Sequence, residues 1–241
     1  MTHLYLSAAH KSSGKTTLSI GICAAWRAQG LQVQPFKKGP DYIDPLWLSA
    51  ASGRPCVNLD FHTMQPQEIH YEFVRRMRGA DLGLIEGNKG LFDGMDLNGL
   101  DSNAALAILL GTPVVLVIDT SGMTRGVAPL LLGYQAFDDR LDLAGVILNK
   151  VGGPRHESKL RAVIEHYTDI PVLGAVQRSS ELQIDERHLG LIPSNETPEA
   201  SGKIELLARA VSEQVDLDAL EAIVLLTGRP ALFIQDGDYL D

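Results

Sequence analysis

Short apolar runs at Leu4–Ala8, Leu31–Phe36, Asp81–Ile85, Pro113–Ile118, Ala144–Leu148 and Pro171–Val176 punctuate the chain, and Leu189–Ile192 is a candidate seventh. They alternate little between apolar and polar positions, which is how strands buried on both faces of a parallel sheet read. Between them lie positions that share one helical face: Leu18, Ile22, Ala25 and Trp26; Leu160, Val163, Ile164 and Tyr167; and Ile204, Leu207, Ala208, Val211 and Val215. Strand and helix therefore alternate. The expected fold is α/β, a doubly wound, mostly parallel sheet with helices on both faces. Chemistry in such a sheet collects in loops at the carboxyl ends of the strands. Residues 1–192 carry the alternating pattern and form the expected core. Residues 193–241 read as a linker at Pro193–Ser201, a long helix and a tail whose apolar run Ala231–Ile234 resembles the start of a missing or separate part. There is no internal repeat and no low-complexity tract.

Composition narrows the classes open to this fold. With 241 residues, 45% hydrophobic and 21% charged, the chain has an ordinary globular balance and room for a sizeable core. A formal net charge of −9 argues against a nucleic-acid surface, which needs clustered Lys and Arg. No stretch of about 18 apolar residues occurs, and Met1-Thr2-His3 runs into a strand without a charged leader region. No membrane partner is expected, and a cytoplasmic location is. Cys23 and Cys56 suggest neither a disulfide framework nor a zinc site, and the seven histidines show no metal-ligand spacing.

The most informative segment is Ala9-His10-Lys11-Ser12-Ser13-Gly14-Lys15-Thr16-Thr17, directly after the first apolar run. It reads as a strand, a phosphate-binding loop and a helix start, which makes the fold P-loop NTPase-like. Backbone N–H groups from His10 through Thr17 would converge on phosphate oxygens, Lys15 would reach the β/γ bridge, and the Thr16 hydroxyl would sit on Mg²⁺. The first glycine of the usual pattern is Ala9 here, which is acceptable if φ stays negative.

Two further loops supply acids. Lys37-Lys38-Gly39-Pro40-Asp41-Tyr42-Ile43-Asp44-Pro45 follows the second run; on its own it reads equally as a solvated charged turn. Glu86-Gly87-Asn88-Lys89-Gly90-Leu91-Phe92-Asp93-Gly94 follows the third and puts an acid where a nucleotide-bound Mg²⁺ is ordered. The topology would bring Thr16, Asp41 and Glu86 towards one octahedral Mg²⁺, and Asp93 towards a second substrate. Asn149-Lys150, ending the fifth run, is placed to cover a purine; residue 152 is Gly rather than the Asp of a guanine-reading motif, so adenine and hence ATP are expected. Asp119-Thr120-Ser121-Gly122 is read as a helix cap or a substrate contact.

At these residues the sequence resembles the cobyrinic acid a,c-diamide synthase family of the dethiobiotin synthetase-like P-loop group. The matching segments are Ser12-Ser13-Gly14-Lys15-Thr16-Thr17, Gln34-Pro35-Phe36-Lys37, Gly39-Pro40-Asp41-Tyr42-Ile43-Asp44-Pro45, Gly53-Arg54-Pro55 with Asn58-Leu59-Asp60, Glu86-Gly87 with Gly90-Leu91-Phe92-Asp93-Gly94, Gly145-Val146-Ile147-Leu148-Asn149, Arg155-His156, and Arg187-His188-Leu189-Gly190-Leu191. The resemblance implies a ligase that uses ATP and Mg²⁺ to phosphorylate acetate side chains of a corrin-type tetrapyrrole, after which ammonia displaces phosphate. By position, it implies catalytic roles for Lys15, Asp41, Glu86 and Asp93: Asp41 and Glu86 on Mg²⁺, Asp93 orienting the acyl group and ammonia, and Lys15 stabilising the transferred phosphoryl group. Asn88-Lys89 replaces the apolar residues usual in the family, so a siroheme- or sirohydrochlorin-type acceptor is an alternative. The glutaminase part usual in the family has no counterpart here, because neither Cys23 nor Cys56 sits in a nucleophile turn. Ammonia is then expected from a separate or missing glutaminase domain. Pairing of two copies is left open. A dethiobiotin synthetase-like ligase and a partitioning ATPase are the other readings; the latter places a signature lysine where His10 stands.

Overall fold

A computed structural model describes residues 2–184, 186–187, 190–191, 193–196 and 199–226. Its elements in chain order are β1 (His3–Ala8), α1 (Lys15–Ala28), β2 (Val33–Lys38), α2 (Asp44–Ser52), β3 (Val57–Leu59), α3 (Pro66–Arg76), β4 (Leu82–Glu86), α4 (Asn103–Leu110), β5 (Val114–Asp119), α5 (Val127–Phe137), β6 (Leu143–Val151), α6 (Pro154–Tyr167), β7 (Val172–Gln177), β8 (Glu186–Arg187), β9 (Gly190–Leu191), α7 (Ala200–Gln214) and α8 (Leu217–Leu226). Seven strands form one sheet in the order β3-β2-β4-β1-β5-β6-β7, and every neighbouring pair is parallel.

Strands β1, β2, β4, β5, β6 and β7 bury both faces, which explains the unalternated runs. Leu4, Leu6, Leu84, Val115 and Val117 face the cluster that holds α1, α2, α7 and α8. Tyr5, Ile85, Val114, Leu116 and Ile118 face the cluster of α3, α4, α5 and α6. Fully burying such a side chain contributes roughly 1.5–3 kcal/mol, so the two layers fix strand register strongly. Among the described residues, no helix is long and apolar enough to cross a membrane.

Three expectations change. The seventh strand of the sheet is Val57–Leu59, not Leu189–Ile192: a three-residue edge strand after Pro55 is too short to show a period. Gly190–Leu191 instead pairs antiparallel with Glu186–Arg187 in a separate two-stranded ribbon, while Leu189 and Ile192 lie outside the described residues. β2 begins at Val33 and runs through Lys37 and Lys38, both buried, because their ammonium groups find acceptors at the sheet's end. Val215 lies just past α7 and is buried by an isolated antiparallel bridge to Gly174 rather than by a helical face. The run Ala231–Ile234 is outside the described residues.

Candidate functional site

The loops after β1, β2 and β4 meet because β1 and β2 flank β4 in the sheet. Thr16, in the first turn of α1, donates its hydroxyl to Glu86 Oε1 at 2.6 Å, with Asp44 Oδ2 at 3.2 Å. Lys37 Nζ donates to the same two oxygens, at 2.6 Å to Asp44 Oδ2 and 2.7 Å to Glu86 Oε1, and stands 3.8 Å from Asp41 Oδ2. Glu86 is fully buried, and its Oε2 has no hydrogen-bond partner among the described residues. Burial pushes the Glu86 carboxyl up, against the pull of Lys37. Burial alone would lower the Lys37 ammonium, but Glu86, Asp44 and Asp41 overcome it and hold the group above its ordinary value. A charged lysine therefore bridges two carboxylates.

Asp41 is used differently from Asp44. Its Oδ1 accepts from the backbone N–H groups of Ile43 at 2.9 Å and Asp44 at 3.1 Å, capping α2 and turning Asp44 inward. Its carbonyl accepts from the Asn58 side chain at 2.7 Å. Lys37 and Asp44 are functional candidates that the sequence reading passed over. The signal was present in two acids three residues apart at a helix start, beside a lysine at the end of a strand.

Lys15 is 7% exposed, and its Nζ donates to the Lys89 carbonyl at 2.7 Å. Burial lowers its pKa to about 8, opposed by Glu86 and reinforced by Lys37. Asp93 Oδ2 accepts from the Gly90 N–H at 2.9 Å, and its charge acts on Lys15 and on Tyr134. Gly90 is required at this approach: a Cβ there would lie 2.6 Å from Asp93 Oδ2 and 2.7 Å from the Ala9 carbonyl. Asn103, fully buried, ties the loop together by accepting from the Tyr5 hydroxyl and the Asn88 N–H and donating to the Gly90 carbonyl. Nothing in the local sequence marks that role, which depends on contacts across 13 to 98 positions.

The phosphate loop itself is held from behind. Left-handed backbone falls at Ser12 (φ 62°) and Gly14 (φ 93°) and not at Ala9, so alanine is compatible with the first position. Asn149 Nδ2 donates to the Ser13 carbonyl at 2.8 Å, and Lys150 Nζ donates to the Ser12 carbonyl at 3.0 Å and pairs with Asp119 Oδ2 at 2.7 Å. Ser13 Oγ donates to the His10 carbonyl at 2.8 Å; His10 and Lys11 are exposed, and Thr17 is half-buried in the first turn of α1. Asp119 Oδ1 caps the turn at the Ser121 N–H, so this acid is structural on both oxygens. The Tyr134 hydroxyl completes the clamp by donating to the Ala9 carbonyl at 2.7 Å. A Cβ on Gly14 would lie 2.1 Å from Asn149 Nδ2, in a backbone conformation alanine resists. Gly14→Ala is therefore expected to weaken nucleotide binding by about tenfold or more, read by calorimetric titration, with the core intact.

Several residues of the motifs are structural. Arg54 donates to Gln34 Oε1 and to the carbonyls of Arg76, Arg78 and Gly79, closing the end of α3. His156 bonds the Met123 carbonyl through Nε2 and accepts from the Gly152 N–H through Nδ1. Burial pushes the thiols of Cys23 and Cys56 up, opposite to what a nucleophilic cysteine needs. Tyr42, in the loop after β2, and Met95, Leu97 and Leu100, in the loop between β4 and α4, are exposed.

The donor set fits Mg²⁺. Among the described residues no group of three His, Cys, Asp or Glu side chains is arranged to hold a metal alone. Mg²⁺ does not need such a cage, because it is ordinarily held by one or two carboxylates, a hydroxyl, waters and phosphate oxygens. Thr16, Asp44 and Glu86 offer that set.

Residues 8–192 match the family model described as the CobQ/CobB/MinD/ParA nucleotide binding domain. A cobyrinate a,c-diamide synthase of Magnetococcus marinus is 52% identical over 220 residues, covering 91% of this chain and 47% of that protein. A hydrogenobyrinate a,c-diamide synthase of Thermobifida fusca is 44% identical over 226 residues, with 91% and 47% coverage. The chain spans about half the length of the curated relatives it matches. Among solved structures, the signal recognition particle receptor FtsY of Elizabethkingia anophelis superposes with a TM-score of 0.56 at 16% identity, covering 86% of this chain and 66% of that one. Chloroplast FtsY of Physcomitrella patens gives 0.53 at 18% identity, with 86% and 65% coverage. These likenesses concern the fold alone.

Proposed function

The chain belongs to the CobQ/CobB/MinD/ParA nucleotide-binding domain family, and on that premise we propose that it is the ATP-dependent synthetase part of a ligase that amidates peripheral carboxylates of a tetrapyrrole. The observation that carries the proposal is the convergence of Thr16, Lys37, Asp44 and Glu86 beside the Asp93 loop, in a chain 52% identical over 91% of its length to a cobyrinate a,c-diamide synthase.

In the proposed reaction a substrate carboxylate oxygen attacks the γ-phosphorus of ATP and ADP leaves. Ammonia then attacks the acyl carbon, phosphate departs, and one proton is lost to give the amide. Lys15 and the backbone of the Ser12–Thr16 loop hold the phosphates, and Lys15 offsets charge on the transferred group. Thr16, Glu86 and Asp44, with Asp41 behind them, would hold Mg²⁺, which when bound supplies charge neutralisation between the phosphates. Asn149 and Lys150 keep the loop in its binding shape from the side where a purine would lie. Asp93 orients the acceptor carboxylate and ammonia, and the apolar side chains Tyr42, Met95, Leu97 and Leu100 border a surface suited to a macrocycle.

Asp93→Asn is expected to leave ATP affinity within about twofold and to lower amide formation roughly 100-fold, an ordinary effect for a polar group acting on the reacting atoms. Collapse of ATP affinity instead would move Asp93 into the phosphate and metal shell. Exposed Lys89 favours a second acceptor class with an additional carboxylate, of the sirohydrochlorin type. The decisive experiment incubates the chain with ATP, Mg²⁺, ammonium and a panel of tetrapyrrole acids, and reads ADP release and product masses. Amide formed on a corrin-type acid supports the proposal. ATP binding without amide on any corrin or sirohydrochlorin overturns it and favours a carbamate-activating ligase or a regulatory ATPase. Ammonium replaces glutamine in this assay because the ammonia would come from a glutaminase part outside this sequence.

A further inference from the structure

Lys37 Nζ and Thr16 Oγ1 converge on the same pair of atoms, Asp44 Oδ2 and Glu86 Oε1. These are the oxygens that would ligate a divalent cation, and Lys37 is 2% exposed with its Nζ held among them. An ammonium within hydrogen-bond distance of both oxygens and a divalent ion coordinated by them exclude each other. The lone pairs of these two oxygens are already engaged, and two cations would share one small space. Without either, two carboxylates would face one another in a buried site with no cation between them, which is strongly unfavourable.

We propose that Lys37 is an internal stand-in for the divalent cation. It holds Asp44 and Glu86 in ligating positions while no nucleotide is bound, and it keeps the metal from entering alone. Nucleotide phosphates provide the anionic partner that draws the ammonium off, and the cation enters with them. The lysine stem is long enough for a short swing: the Gly87 carbonyl at 3.4 Å and Asp41 Oδ2 at 3.8 Å are the neighbouring acceptors. Lys37 acts through the two carboxylates and is a positioning residue. This inference rests on the reading of Thr16, Asp44 and Glu86 as the cation site.

The test is Mn²⁺ titration of the chain, followed by electron paramagnetic resonance, with and without a non-hydrolysable ATP analogue. Wild type is expected to bind Mn²⁺ poorly alone and at least about tenfold more tightly with the analogue, while Lys37→Met binds Mn²⁺ alone at least about tenfold more tightly than wild type. Lys37→Arg, which keeps the charge, should restore weak binding. Thermal unfolding gives a second readout: added Mn²⁺ should raise the Tm of Lys37→Met and leave nucleotide-free wild type unmoved. Equal Mn²⁺ affinity of nucleotide-free wild type and Lys37→Met overturns the stand-in role, as does wild-type binding that the analogue does not strengthen. If Lys37→Met does not fold, Lys37→Gln, which removes the charge and keeps a donor, takes its place in the same comparison with wild type and Lys37→Arg. Should Mn²⁺ binding in the presence of the analogue be indifferent to Asp44→Asn and Glu86→Gln, the cation site itself is misassigned, which is a distinct failure.

Discussion

Replacing Lys15 by methionine is expected to lower ATP-dependent turnover by about a thousandfold or more while leaving the protein folded and, near neutral pH, more stable than the wild type. The loss follows from the lysine's place in the phosphate loop, since removing one preorganised group from a developing charge ordinarily costs 100- to 1000-fold or so, and Lys15 is a full charge in a buried site. The gain in stability follows from the same burial. The pKa of Lys15 is lowered from 10.5 to about 8 on folding, chiefly by desolvation. Below pH 8 the lysine is charged in both states, and folding carries the whole cost of burying that charge. Between about pH 8 and 10.5 the unfolded chain binds more protons, so wild-type stability rises with pH through this window, by on the order of 3 kcal/mol. The methionine variant lacks that rise. Losing the bond to the Lys89 carbonyl takes back about 1 kcal/mol of the gain. Urea unfolding of both proteins at pH 7 and pH 10, beside an ADP-release assay, checks the prediction. An unfolded variant, or one that keeps turnover, would show that Lys15 has been given the wrong role.

Glu86→Gln combines loss of activity with loss of stability. Glu86 is fully buried and holds Thr16 at 2.6 Å and Lys37 at 2.7 Å. Glutamine preserves the size but removes the charge and presents an amide to two donors. Breaking one side of a buried pair costs about 3–5 kcal/mol; Asp44 remains to hold Lys37, which puts the expected loss near the lower bound. For a chain of this length that is a fall in Tm of roughly 10 °C. Mg²⁺-dependent turnover should fall about a thousandfold, because both the proposed metal ligand and the anchor of Thr16 are altered. Guanidinium melts with an unchanged slope but a lower midpoint would confirm that the native state, rather than the denatured ensemble, has been affected. A variant as stable as the wild type would mean that Lys37 finds its partners elsewhere.

What the sequence revealed, and what it hid, follows from which signals are local. The central strands were legible because burial on both faces gives continuous apolar runs, and the phosphate loop was legible because its geometry needs Gly14, Lys15 and Thr16 in order. α4 and α5 were not, since Asn103–Leu110 and Val127–Phe137 are apolar nearly all round and show no stripe. α3 carried a readable signature in Pro66 and the Gln65–Glu68 capping box, which a search restricted to strand-end loops passes by. At the site, Asp41 and Asp44 are chemically alike and three residues apart. The side chain that caps the helix and the one that points inward are distinguished only by where α2 begins. Lys37 read as a loop residue because a buried lysine at the end of a strand is improbable until Asp44 and Glu86 are known to meet it there. Arg54 and His156 carry the opposite lesson: both belong to recognisable motifs, and both spend their hydrogen bonds on backbone carbonyls and turns.

The clamp behind the phosphate loop sets a timetable for the growing polypeptide. The loop's own residues are all made by position 17, yet Thr16 finds Glu86 70 positions later, and Ser13 and Ser12 meet Asn149 and Lys150 136 and 138 positions later. Contacts of such span form late, after the intervening strands have docked. During synthesis the phosphate-binding segment therefore emerges long before Asn149 and Lys150 of β6, five strands further along the chain, exist to hold its shape.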